Sequence, residues 1–149
     1  MKKISLFLLF VCPLFIFLFS PLAFALRIDN SKIKARLSPQ DTYTGTITVE
    51  NHSEEEAFVK AYLEDFLYVS PFDGAKEFYA AGTTEFSLQG WISFSPQEFL
   101  LKPYSGQKVN FTIRAPETIN SLHCGVLFFE TSLGQTYRDD KAINILGRV

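Results

Sequence analysis

The sequence has 149 residues, 47% of them apolar and 15% aromatic, with 14 basic and 16 acidic side chains and a net charge of −2 at pH 7. That is apolar material for one domain and too short a chain for two. The mildly acidic balance gives no electrostatic reason to bind nucleic acid, and a single cysteine beyond the N-terminal segment leaves no internal disulfide there.

Lys2 and Lys3 precede an apolar run from Ile4 to Phe19, and Ser20-Pro21-Leu22-Ala23-Phe24-Ala25 follows with a small-residue Ala-x-Ala signature. This is the pattern of a cleavable export signal over residues 1–25, with the mature chain starting at Leu26. An uncleaved anchor is the competing reading, since Ile4 to Leu26 is long enough to span a bilayer. Pro21 and the lack of charge before Arg27 favour cleavage. Cys12 lies mid-run behind Val11, a neighbour of the wrong size for lipid attachment. Without Lys2 and Lys3 the net charge becomes about −4, with no membrane contact expected after cleavage and a periplasmic or extracellular address.

Leu26 to Ser38 alternates loosely (Ile28, then Ile33, Ala35 and Leu37) and predicts a first strand at a sheet edge, ended by Pro39. Thr42 to Asn51 is a clearer strand. Tyr43, Gly45, Ile47 and Val49 share one face and Thr44, Thr46, Thr48 and Glu50 the other, the period of two of a half-buried strand. Glu54-Glu55-Glu56 reads as a solvated tip. In Ala57 to Val69 the alternation of Val59, Ala61 and Leu63 with Lys60, Tyr62 and Glu64 again predicts a strand. Its parity slips at Glu64-Asp65, after which Phe66 and Tyr68 point inward, so a bulge or a sheet-switching bend is expected there. Ser70 to Gly74 is a turn, followed by a short strand around Glu77 to Tyr79 and a loop centred on Gly82.

Gly90 to Pro116 organises the rest. Trp91 to Phe94 stops at Pro96, Phe99 to Leu101 stops at Pro103, and a Pro103-Tyr104-Ser105-Gly106 turn launches Val109 to Ala115. The prolines fall between the runs, where a missing N–H breaks no ladder bond. His123 to Thr131 is continuously apolar, as a central strand covered on both faces would be. Gly134 reads as a turn, and Lys141 to Val149 as a closing strand with Ile143 and Ile145 alternating. About seven strands with regular turn signals predict an all-β, immunoglobulin-like β-sandwich over residues 26–149.

Residues suited to chemistry are sparse. His123 and Cys124 are adjacent, so in an extended strand they point apart and cannot share a metal ion. Cys124 inside an apolar strand is an inert thiol. The carboxylate pairs Glu64-Asp65 and Asp139-Asp140 diverge in the same way, and no Gly-x-Ser-x-Gly elbow is present. No catalytic residue, metal or cofactor is therefore assigned. Trp91, Tyr62, Tyr68, Phe78, Tyr79 and Tyr104 have the chemistry of a carbohydrate-binding face, but core packing is the favoured expectation for them.

The run from Ser95-Pro96 to Arg114 has a strand ending in proline, the apolar pair Phe99 and Leu101, then Pro103-x-x-Gly106-Gln107 with Val109, Phe111, Ile113 and Arg114. Together with Thr44 to Ser53 and the apolar strand Val126 to Thr131, it resembles the N-terminal immunoglobulin-like domain of periplasmic pilus-assembly chaperones of the PapD type. That resemblance implies a non-catalytic protein-binding domain whose partner is a surface or pilus subunit. In those chaperones the last strand of the domain presents alternating apolar side chains to complete the subunit's sandwich, a form of strand addition. Ile143 and Ile145 are the residues that correspond in type and position. The alternatives are that both isoleucines fill this domain's own core, or that the domain is a structural or adhesive module of a surface assembly.

Overall fold

The structure, a computed structural model, describes residues 26–138 and 141–149. Residues 1–25, read above as an export leader with Ala23 and Ala25 and containing Cys12, and the Asp139-Asp140 pair lie outside the described residues. Nine strands are present among them: β1 (Leu26–Ile28), β2 (Thr42–Asn51), β3 (Ala57–Tyr68), β4 (Lys76–Ala80), β5 (Ile92–Ser95), β6 (Glu98–Leu101), β7 (Gly106–Arg114), β8 (Val126–Arg138) and β9 (Lys141–Arg148). They build two antiparallel sheets. One has the order β1-β2-β7-β5, and the other has β4-β3-β8-β9 with β6 also paired to β3. This is an immunoglobulin-like β-sandwich, with nine strands where the turn signals had given about seven.

The four-stranded sheet follows directly from side-chain alternation. β2 and β7 pair along their whole length, from Thr42↔Arg114 to Glu50↔Gly106. Ile47, Val49, Val109 and Phe111 face inward and are buried, while the intervening threonines and Asn110 face out. Gly45 lies opposite Phe111, and a methyl group on it would collide with the Phe111 ring. Gly45→Ala is therefore expected to cost about 1–3 kcal/mol through overpacking, measured as a shift of the urea midpoint.

The first strand is shorter than the sequence predicts, three residues instead of thirteen. After Ile28 the Asp29 carboxylate accepts the Thr48 backbone N–H at 2.9 Å, and Ile33 and Leu37 are left to pack from irregular chain. A side chain that captures a neighbouring strand's N–H competes with the ladder and ends it. The strand is at a sheet edge, as expected.

In the five-stranded sheet β3 is central. One edge pairs with β8, and the other pairs first with β6 and then with β4. The expected slip at Glu64-Asp65 does not occur, and Phe66 and Tyr68 face outward instead of inward. β3 runs unbroken, and the inward positions after Ala57, Val59 and Ala61 continue to Asp65, which is fully buried. The charge is tolerated because the loop after β4 supplies donors. Ser87 Oγ donates to Oδ1 at 2.7 Å, and Thr84 N–H donates to Oδ2 at 2.9 Å. Ser87 Oγ also accepts the N–H groups of Gly82 and Gln89, both at 3.0 Å. One inward carboxylate thus organises residues 82–89.

β8 is covered on both faces at its start, with Phe128 and Phe129 both buried. Gly134 does not turn the chain. It sits within β8 at φ 109°, where the register with β9 shifts between Ser132 and Gly134. It is a bulge glycine of the kind that needs positive φ, and pairing continues past it to Arg138↔Lys141.

Candidate functional site

The last two strands extend past the sandwich. β8 pairs with β3 only from Val126 to Thr131, whereas its pairing with β9 runs from Glu130 to Arg138. Among the described residues β8 pairs from Ser132 onward with β9 alone, so the two form a ribbon that leaves the sheet at the Gly134 bulge. β9 is the edge strand, and its outer row of N–H and C=O groups is unpaired by any other strand among the described residues. Such an edge is a template for another strand.

Ile143 pairs with Thr136 and Ile145 with Gly134. By alternation both lie on the side shared with Gly147, whose partner Thr131 faces the core. The four-stranded sheet does not cover them there, and they stay 43% and 44% exposed. They do not fill the domain's own core. At the base of the ribbon, between β1 and β9, lies a recess of about 340 Å³ lined by Leu26, Ala57, Thr131, Leu133, Gly147 and Val149.

The residues weighed for chemistry are placed differently. Among the described residues no three His, Cys, Asp or Glu side chains gather to hold a metal. His52 is a surface residue with Nε2 3.0 Å from Glu50 Oε2. His123 and Cys124 precede β8 and are not in the strand. His123 stacks on Trp91 at a centroid distance of 4.1 Å, and its Nδ1–H donates to the Ser87 carbonyl at 3.0 Å. Burial, with a smaller contribution from the Asp65 charge, pushes the Cys124 thiol above its ordinary value. Glu64 faces out toward Arg148 at 3.4 Å while Asp65 faces in, so the two carboxylates diverge.

Core packing does not account for the six aromatics. None of Trp91, Tyr62, Tyr68, Phe78, Tyr79 and Tyr104 belongs to the buried core. Tyr62, Tyr68 and Phe78 lie together on the outer face of the five-stranded sheet, because β3 and β4 place them on the side opposite Val59 and Ala61. No single strand's sequence shows that grouping.

No protein-family profile matches the sequence, and no curated protein matches it significantly. Several solved structures are similar in fold. The ASH/PapD-like domain of human CEP192 (PapD-like domain 7) matches at 20% identity and a TM-score of 0.42, over 72% of this chain and 69% of that one. The class 5 fimbriae chaperone CfaA matches at 14% identity and 0.49, over 83% of this chain and 53% of that one. A chain from a chaperone–tip adhesin complex of CFA/I fimbriae matches at 15% identity and 0.48, over 83% and 54%. The chain thus spans about half the length of the two fimbrial chains it matches.

Proposed function

We propose that this chain is an exported, non-catalytic protein-binding domain that acts by strand addition along β9, with Ile143 and Ile145 as its contact residues. The partner is a protein of the cell envelope or surface, such as a pilus subunit, and the activity is chaperone-like. The observation that carries this reading is the ribbon. Two isoleucines on an unpaired edge, more than two-fifths exposed and outside the core, are placed where an incoming strand gains both ladder hydrogen bonds and apolar contact. The recess between β1 and β9 has room for an apolar side chain of the added strand. The address rests on the leader read in residues 1–25.

The test is capture of envelope proteins on immobilised wild-type chain and on Ile143→Asp, with a photo-crosslinker at position 145 identifying what lies against the edge. Burying an unpaired carboxylate is expected to weaken the crosslinked partner's binding by about a hundredfold or more. The substitution is expected to change folding stability by less than about 1 kcal/mol, because it is on the surface. Equal recovery of that partner on the variant would overturn the reading. A chain with no partner at this edge would instead indicate a structural module.

A further inference from the structure

A sandwich has two outer faces, and here they differ in kind. On the four-stranded sheet the outward positions are polar, as with Thr44, Thr46 and Thr48 of β2 and Lys108, Asn110 and Thr112 of β7. That is the ordinary solvated face of an antiparallel sheet. On the five-stranded sheet the outward positions include Phe58, Leu100, Tyr68, Phe78 and Leu146, exposed at 56%, 56%, 54%, 40% and 54%. Large apolar side chains grouped on one face mark an interface.

The register says what fits that face. Glu98 of β6 lies opposite Lys60 of β3, Lys60 opposite Glu130 of β8, and Glu130 opposite Arg148 of β9. The row across the sheet reads minus, plus, minus, plus. One step along the strands in one direction, Leu100 lies opposite Phe58 and Leu146 opposite Ser132. One step in the other direction stand Tyr62 and Phe128, with ring centroids 5.8 Å apart.

We propose that this face is the interface of a homodimer, in which two copies pack face to face about a twofold axis parallel to the strands and passing between β3 and β8. That operation reverses the charged row. Lys60 meets Glu130 of the second copy, Glu98 falls opposite its Arg148, whose guanidinium also pairs with Glu64 of its own chain at 3.4 Å, and both contacts recur by symmetry. All four are opposite in sign. A twofold running across the strands through the same row would set each charge against its own copy, so the row selects the first arrangement over the second. The apolar row obeys the same operation, bringing Leu100 to Leu146 of the second copy and Phe58 over its Ser132. Face-packed sheets cross at about 30°, which keeps the two central Lys60–Glu130 contacts closest. Ile143 and Ile145 are on the other side of β9 and take no part, so the dimer stands or falls separately from the strand-addition reading.

Sedimentation equilibrium of the purified chain tests this with Lys60→Glu and Glu130→Lys, alone and mixed. The wild type is expected to be a dimer. Each variant alone sets like charges at both central contacts and is expected to associate about a hundredfold more weakly. An equimolar mixture of the two is expected to recover the dimer, one chain of each, because every facing charge is then opposite again. Each chain in the mixture still carries its own substitution, so recovery reports association and not repaired pairing within a chain. Phe58→Ser weakens the same association without altering a charge and serves if a charge variant does not fold. A wild type that is monomeric at about 100 μM, variants that remain dimeric alone, or a mixture that stays monomeric would each overturn the proposal.

Discussion

A Phe129→Ala chain is expected to lose about 3–5 kcal/mol of folding stability. Phe129 has no exposed surface and is among the largest fully buried side chains. It lies opposite Ala61 on β3, and its backbone N–H and C=O pair with Val149 at 3.0 and 3.1 Å. Its environment is held by both neighbours, so truncation leaves a cavity that the sheet cannot close by collapse. A domain of this size has about 5–15 kcal/mol in total, and the loss is a large part of it. Urea unfolding followed by tryptophan fluorescence checks the value. A fall in midpoint with unchanged slope is the expected result, and a loss below about 1 kcal/mol would show that the core is not centred where the burial places it.

The second large effect belongs to Asp65. Burial raises its pKa, but the hydrogen bonds from Ser87 and Thr84 together outweigh burial and hold the carboxyl below its ordinary value of 3.8. Asp65→Asn is expected to cost about 2–4 kcal/mol at neutral pH, since an amide cannot accept on both sides and leaves a buried donor unmatched. The pH dependence follows from linkage. A carboxylate with a depressed folded-state pKa contributes stability that is fully present above its unfolded value and is lost as pH falls through the folded one. The gap between wild type and variant should therefore be constant above about pH 5 and close as the pH falls below about 4. A gap independent of pH would assign the cost to packing instead of charge. Amide exchange at Gly82, Thr84 and Gln89 should also quicken in the variant, because their N–H groups bond to Asp65 or to the Ser87 hydroxyl it holds.

The sandwich was legible wherever a strand announces itself by its own alternation. Thr42 to Asn51 and Val109 to Ala115 each carry that pattern, and they prove to be partners. Asp65 was misread because a carboxylate at an inward position looks like a parity slip when the donors that satisfy it are some twenty residues downstream. Gly134 was misread for a similar reason, since a glycine with positive φ serves a turn and a bulge equally well. Ile143 and Ile145 were visible as an apolar alternation, but their exposure depends on where the other sheet stops, which no local pattern encodes. The charged row is still less accessible, as Glu98, Lys60, Glu130 and Arg148 come from four strands and are aligned only by their register.

The pairing of β2 with β7 sets Ile47 beside Val109, and that of β3 with β8 sets Ala61 beside Phe129. Neither sheet has its central ladder until more than sixty further residues have followed the earlier strand. Chains dominated by such distant pairings fold in milliseconds to seconds, slowly for their size. During synthesis β2 thus emerges with only the three-residue β1 beside it, and β3 with only β4 and β6 along one edge, so both central ladders wait for β7 and β8 to arrive.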